Sequence, residues 1–274
     1  MIRLKNIVIA FVLILWPLDL YLKNTPQNYI AYIGPTLILL ISYLLFKKNK
    51  IYFWVPFLLI PFVSPKLAVL PLSISLFSLF FKRNRFSALF ITASLILGFI
   101  FIKPFWGQTI FKFDYEARQQ VIRNTYLYPN VFLARLSQNK TKIISDKLNS
   151  NFFAITDPSN YFFGFHPREG YIENQNLGKY LFLSLPFLFL GLYYLKNNKN
   201  KGFVIPALIG SVLVLSVLTN FDRQDFVLFV PLSLVIIDGI NIFEKKYSKI
   251  SKYYWVIFVI FSLQQIARLF AVKL

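Results

Sequence analysis

Long apolar runs separated by short basic loops recur along nearly the whole chain. A membrane-crossing helix needs about 20 mostly apolar residues. Residues 7–22, 29–46, 51–64, 67–81, 86–102, 180–195, 202–219, 226–243 and 253–270 approach that length. Tyr, Trp and Lys at their ends extend the shorter ones into the interface. The pattern predicts an all-α integral membrane protein of about nine transmembrane helices. The third and fourth runs carry Pro56, Pro61, Pro65 and Pro71, each of which removes a backbone donor. That pair either crosses fully or forms a re-entrant hairpin. Both arrangements return the chain to the same side.

The pattern divides the chain into three parts: a five-span bundle over 1–102, a long polar segment over 103–179, and a four-span bundle over 180–274. In the middle part, Phe132, Leu136, Ile143, Ile144 and Leu148 fall at helical spacing among Lys, Arg and Asn. A basic amphipathic helix of this kind lies along the membrane surface or packs on neighbouring helices. No internal repeat of solenoid period is present.

Charge gives the runs a direction. One set of loops holds Arg3, Lys5, Lys47, Lys48, Lys50, Lys82, Arg83, Arg85, Lys196, Lys199, Lys201, Lys245, Lys246, Lys249 and Lys252; the alternate short loops hold only Lys23, Lys66, Arg223 and Lys273. The positive-inside rule puts the first set, and the N-terminus, in the cytoplasm. The long segment and the C-terminus are then extracytoplasmic, at a cell membrane. The opening "MIRLKNIVIAFVLILWPLDLYLKN" has the basic start and apolar core of a signal peptide, but no small-residue cleavage site follows. It reads as an uncleaved first span.

Composition narrows the chemistry. Hydrophobic residues make up 57% and charged residues 15% of the chain, whereas soluble domains run near 25% charged. Membrane lipids are therefore its surroundings. The net charge of +19 is spread over loops between apolar runs instead of forming one basic face, which argues against nucleic acid. With no cysteine and a single histidine, a zinc site lacks ligands. No metal or other cofactor is expected.

The acids are uneven. Asp19, Asp114, Glu116, Asp146, Asp157, Glu169, Glu173, Asp222 and Asp225 fall on the outer side, leaving Asp238 and Glu244 near the inner one. Asp19 lies at the edge of the first span, where an ionisable group is costly and often functional. No span has a charge near its middle, which argues against an ion-coupled transporter. Arg118, Arg123, Arg135, Arg168 and Arg223 accompany the outer acids. Guanidinium forks suit phosphate oxygens, so this rim could hold a lipid phosphate beside a carboxylate base. The alternative is a solvated loop of mutually paired charges.

Three stretches also resemble a family. "VSPKLAVLPLSISLFSLFFKRNRFSALFITASLILGFIFIKPFW" carries Ser64 and Lys66 before a Pro71-containing run, then a basic loop, then a span ending at Pro104 and Trp106. "NYFFGFHPREG", with "NLGKYLFLSLPFLFLGLYYL" after it, places an aromatic stretch and Pro167–Arg168 before a span. "VLTNFDRQDFVLFVPLSLVIIDGI" places Arg223 in a short polar loop before another. Together they resemble the middle and C-terminal part of bacterial C-type (GT-C) membrane glycosyltransferases, of the protein mannosyltransferase and aminoarabinose transferase kind.

The resemblance implies transfer of a sugar from a polyprenyl-phosphate donor to an extracytoplasmic acceptor. It departs from the family at the front. There the catalytic carboxylate follows the first span in a large outer loop, whereas here that loop is only "KNTPQN" and no Asp-Glu pair occurs. Asp19 stands at a loosely comparable place. The expected site thus has Asp19 and Asp222 as carboxylates, with Arg123, Arg168 and Arg223 around the phosphate. His166, which has no second ligand or orienting partner in the sequence, adds a secondary hydrogen bond or serves only as a loop residue. The competing expectation is a non-catalytic membrane scaffold or partner subunit that keeps the lipid-phosphate rim.

Overall fold

A computed structural model describes residues 4–23, 26–48, 51–80, 85–112, 115–126, 130, 132, 139–164, 178–221 and 223–271. Its helices are α1 (Leu4–Lys23), α2 (Pro26–Lys47), α3 (Ile60–Val63), α4 (Leu70–Ser78), α5 (Arg85–Ile102) and α6 (Tyr115–Thr125). After them come α7 (Lys140–Thr156), α8 (Ser159–Phe162), α9 (Leu185–Tyr194), α10 (Lys201–Val217), α11 (Phe229–Lys246) and α12 (Ser248–Ala271). Among the described residues there is no β-strand, only an isolated bridge between Thr109 and Leu218.

All nine apolar runs are helical over most of their described length. Five continuous helical stretches are long and apolar enough to cross a membrane: Leu4–Leu22, Tyr29–Lys47, Ala88–Gln108, Gln224–Lys246 and Ser248–Ala271. Helix is the form that such segments must take, because hydrocarbon offers no partner for backbone N–H and C=O groups. Large apolar side chains such as Leu89, Phe99, Val55, Phe62, Ile260 and Leu263 remain exposed along the helices. Exposed apolar surface on this scale marks a lipid-facing wall.

The proline-rich pair shows why the third and fourth runs are short. A 3₁₀ helix (Ile51–Leu59) leads into α3, the chain turns extended at Ser64, and a 3₁₀ turn (Pro65–Leu67) precedes α4. Proline stands in the first positions of α3, of that turn and of α4, where no intrahelical donor is lost. A 3₁₀ helix rises about 2 Å per residue against 1.5 Å in an α-helix, so the nine residues Ile51–Leu59 reach further than an α-helix of that length. Phe53 packs against Phe46 at one end of the bundle, while Ser64 bonds Gln224 at the other.

Long-range contacts sort the loops into two ends. At the first end Lys5 pairs with Glu244 at 2.6 Å, Phe203 packs on Tyr43 and Phe46, and Asn198 donates to Asp238. Lys47, Lys48, Lys196, Lys199, Lys201, Lys245 and Lys246 adjoin these residues in sequence, so the basic loops gather here. At the opposite end Trp16 meets Tyr161, Tyr180 and Phe226, and Thr36 donates to the Phe226 carbonyl at 3.0 Å.

The long segment is tied to this second end. Asn139 caps α7 by accepting from the Lys142 N–H at 2.9 Å, as a short amide side chain does at a helix start. Helix α7 therefore begins after Phe132 and Leu136, and they do not share its face. Its buried Ile143, Ala154 and Ile155 face the protein, and α7 packs against α10. Fully buried Asn151 donates to both the Ser216 and Leu218 carbonyls at 2.8 Å. These two bonds cap the end of α10, where carbonyls have no intrahelical donor. Of the two arrangements open for this helix, packing on a neighbour describes it.

Close backbone approach is concentrated between α9 and α11. A Cβ added at Gly191 would stand 2.1 Å from the Val235 carbonyl oxygen, and one at Gly239 would stand 2.0 Å from that of Phe187. Small residues let membrane helices touch in this way. Gly239→Ala should cost about 3 kcal/mol, read as a loss of thermal stability in detergent. Gly98→Ala should cost little, because its nearest neighbour is the Ala68 oxygen at 3.4 Å. Equal losses in the two variants would contradict the close packing.

Candidate functional site

The end opposite the basic loops is organised around one ion pair. Lys179 lies just before the 3₁₀ turn Phe182–Ser184 that opens into α9, and Asp225 sits in a 3₁₀ helix (Gln224–Leu228) that opens into α11. The Lys179 ammonium donates to Asp225 Oδ2 and, at 2.9 Å, to Asn160 Oδ1. The side chains are 12% and 3% exposed, respectively. The ammonium also stands 5.4 Å from the Trp16 ring centre and 5.3 Å from that of Tyr161, within cation–π range. One lysine thus joins α1, α8 and the start of α11.

The backbone around it is held from several sides. Tyr180 N–H donates to the Tyr161 carbonyl at 2.7 Å, and Gln265 on α12 donates to the Gly178 carbonyl. Gly178 has no room for a side chain, since a Cβ would lie 2.5 Å from the Phe162 oxygen. The Tyr180 hydroxyl lies 2.9 Å from Ser233 Oγ, and Tyr161 donates to the Ile155 carbonyl at 2.7 Å. Burial, with the Asp225 charge second, pushes the Tyr161 phenol well above its ordinary range. It stays a neutral donor.

On the other flank, Ser64 Oγ donates to Gln224 Oε1 at 3.3 Å, and Asp225 N–H reaches the Phe221 carbonyl at 3.3 Å. Arg223 begins this turn with φ 60°, and it is the one described non-glycine residue with positive φ. That conformation is uncommon for a side chain without special local bonding. The bonds at Ser64, Thr36 and Lys179 on either side hold the turn in place.

The expected site residues fare as follows. Asp19, 7% exposed, lies one turn beyond Trp16 near the end of α1. Arg223 is half-buried at the same end, directly before Gln224 and Asp225. Arg123 is exposed on α6, and no described contact brings it to the ion pair. His166, Arg168 and Asp222 lie outside the described residues. The structure therefore brings Asp19 and Arg223 to one end of the bundle, around a centre that sequence reasoning had not singled out. Lys179, Asn160 and Asp225 are separated by up to 65 positions, and nothing local signals their meeting. A usable signal existed in the placement of Lys179 and Asp225, opposite charges each at the outer start of an apolar run.

Comparison of the chain with protein-family models, curated proteins and solved structures finds no match. The chemistry therefore rests on the arrangement itself: a buried carboxylate on α1, an arginine on a constrained turn, and a buried Lys–Asp pair over aromatic rings.

Breaking one side of a buried pair leaves an uncompensated charge, whereas replacing both sides by apolar groups is often neutral. Lys179→Met should lower stability by about 3 kcal/mol. The double variant Lys179→Met/Asp225→Leu should recover most of that loss in thermal unfolding. A single variant that melts like the wild type would remove the pair from its central position.

Proposed function

We propose that the protein is a nine-span membrane protein with a cytoplasmic N-terminus, its basic loops inside and the Lys179–Asp225 end outside. In this reading the outer end handles a polyprenyl-phosphate-linked sugar, as the resemblance to GT-C membrane glycosyltransferases implies. The observation that carries the reading is the buried carboxylate of Asp19 near the end of the first span, at the same end of the bundle as Arg223. A carboxylate removed from water is costly at a membrane edge and is kept there for use.

The chemistry follows from these groups. Asp19 takes the proton from an acceptor hydroxyl or amide as its oxygen or nitrogen bonds the sugar's anomeric carbon. The bond from that carbon to the phosphate oxygen breaks, and polyprenyl phosphate leaves with the electron pair. The fork-shaped donors of Arg223 and Arg168 stabilise the leaving phosphate, Arg123 extends the rim, and His166 adds a secondary hydrogen bond. Asp222 orients Arg223 or shares the work of the base. No metal or other cofactor enters.

A second reading, a non-catalytic membrane scaffold or partner subunit with a lipid-phosphate rim, is favoured by one observation. Asp225, the acid beside Arg223 on the turn, is already neutralised by Lys179.

The test is turnover. Purified protein in liposomes, given radiolabelled polyprenyl-phosphate sugars and acceptor, should release polyprenyl phosphate. Asp19→Asn should lower the rate by about 10²-fold or more. Arg223→Lys should weaken lipid-phosphate binding nearly as much as Arg223→Ala, because lysine lacks the bidentate fork. Binding without turnover would select the scaffold reading, and unchanged lipid affinity in both arginine variants would remove the rim.

A further inference from the structure

We propose that Asn160, Lys179 and Asp225 form a subsite for one hydroxyl of the lipid-linked sugar, an inference that rests on the reading above. The argument begins with what each group still has to offer. An ammonium carries three donors. Lys179 spends one on Asp225 Oδ2 and one on Asn160 Oδ1. Asn160 is 1% exposed, and its Nδ2 has no hydrogen-bond partner in the structure. Asp225 engages Lys179 through Oδ2 alone, and its Oδ1 makes no hydrogen bond among the described residues.

A buried amide without a partner is unusual enough to require an explanation. Here the unmet groups are adjacent, because the Asn160 side chain is already bonded to the Lys179 ammonium. Two donors and one acceptor therefore face the same small space. The single group that answers all three is a hydroxyl, which accepts from Asn160 and Lys179 while donating to Asp225. A phosphate oxygen only accepts and would stand against the Asp225 carboxylate. The cluster is also electrically balanced, which suits a neutral polyol better than an anion. Lys179, 12% exposed, is its opening to the surface, and the Trp16 and Tyr161 rings beside it supply an apolar edge. In this assignment the phosphate goes to the Arg223 turn and the sugar to the adjoining Asp225, two positions on.

The experiment compares two probes, polyprenyl phosphate and a polyprenyl-phosphate hexose, binding to protein in nanodiscs. The wild type should prefer the hexose-bearing lipid by about tenfold, the worth of a charge-assisted hydrogen bond. Asn160→Leu should abolish that preference, leave affinity for the sugar-free lipid unchanged, and melt at or above the wild-type temperature, since it removes an unpartnered buried amide. Asn160→Ala provides a second variant with no added bulk and should give the same loss of preference. A preference retained in these variants would overturn the subsite while leaving the lipid-phosphate reading intact. So would a wild type that binds both lipids equally. A lower melting temperature with the preference intact would mean that the amide holds a structural water only, which also overturns it. A wild type that binds neither lipid would overturn both the subsite and the reading on which it rests.

Discussion

The buried contact between Lys179 and Asp225 is the interaction on which one whole end of the bundle depends. It joins the entrance of α9 to that of α11, and through Trp16, Tyr161 and Asn160 it reaches α1 and α8. An ion pair this far from water is stable only when both charges are matched and further hydrogen-bonded. The surrounding structure meets that condition. Gln265 fixes the carbonyl before Lys179, and Ser64 and Thr36 fix the turn that carries Asp225. Aromatic rings then fill the space around the pair, with Trp16 in edge contact with Tyr180, Phe226 and Phe229. Asp19 and Arg223 are held at that end by the same ties.

Charge distribution gives this end its meaning. The lysines of the short loops gather at the other end, around Lys5–Glu244 and Asn198–Asp238. A bundle so polarised inserts with the basic end inward. The end with buried carboxylates, constrained turn and paired lysine then faces the extracytoplasmic space, where a lipid-linked donor and its acceptor would meet.

Apolar run length made the helices legible. Where the period was regular it also marked the buried faces: Val8, Val12, Leu15, Trp16 and Leu20 lie on one side of α1, at the spacing a packed helix needs. The breaks at Pro65 and Pro71 were legible for the same local reason. What run length could not show was reach, since Ile51–Leu59 is wound as a 3₁₀ helix and extends further than its residue count suggests. The start of α7 was misjudged because Asn139 competes for its backbone as a cap and cuts the amphipathic pattern that began at Phe132. The site was half legible. Asp19 and Arg223 were accessible from cost and chemistry, but the Asn160–Lys179–Asp225 centre is made by tertiary packing between segments far apart in sequence. The glycine contacts of α9 with α11 were hidden too, because Gly191 and Gly239 differ from other helical glycines only through what faces them.

The central claim is that the Lys179–Asp225 end is the outer end of a membrane bundle. The chain has no cysteine, so single cysteines report cleanly. Ser145→Cys on exposed α7 and Ser248→Cys at the exposed start of α12 can be treated with a membrane-impermeant thiol reagent on intact cells. The account predicts labelling at 145 and none at 248 until the cells are opened. Labelling at 248 with protection at 145 would reverse the bundle and contradict it.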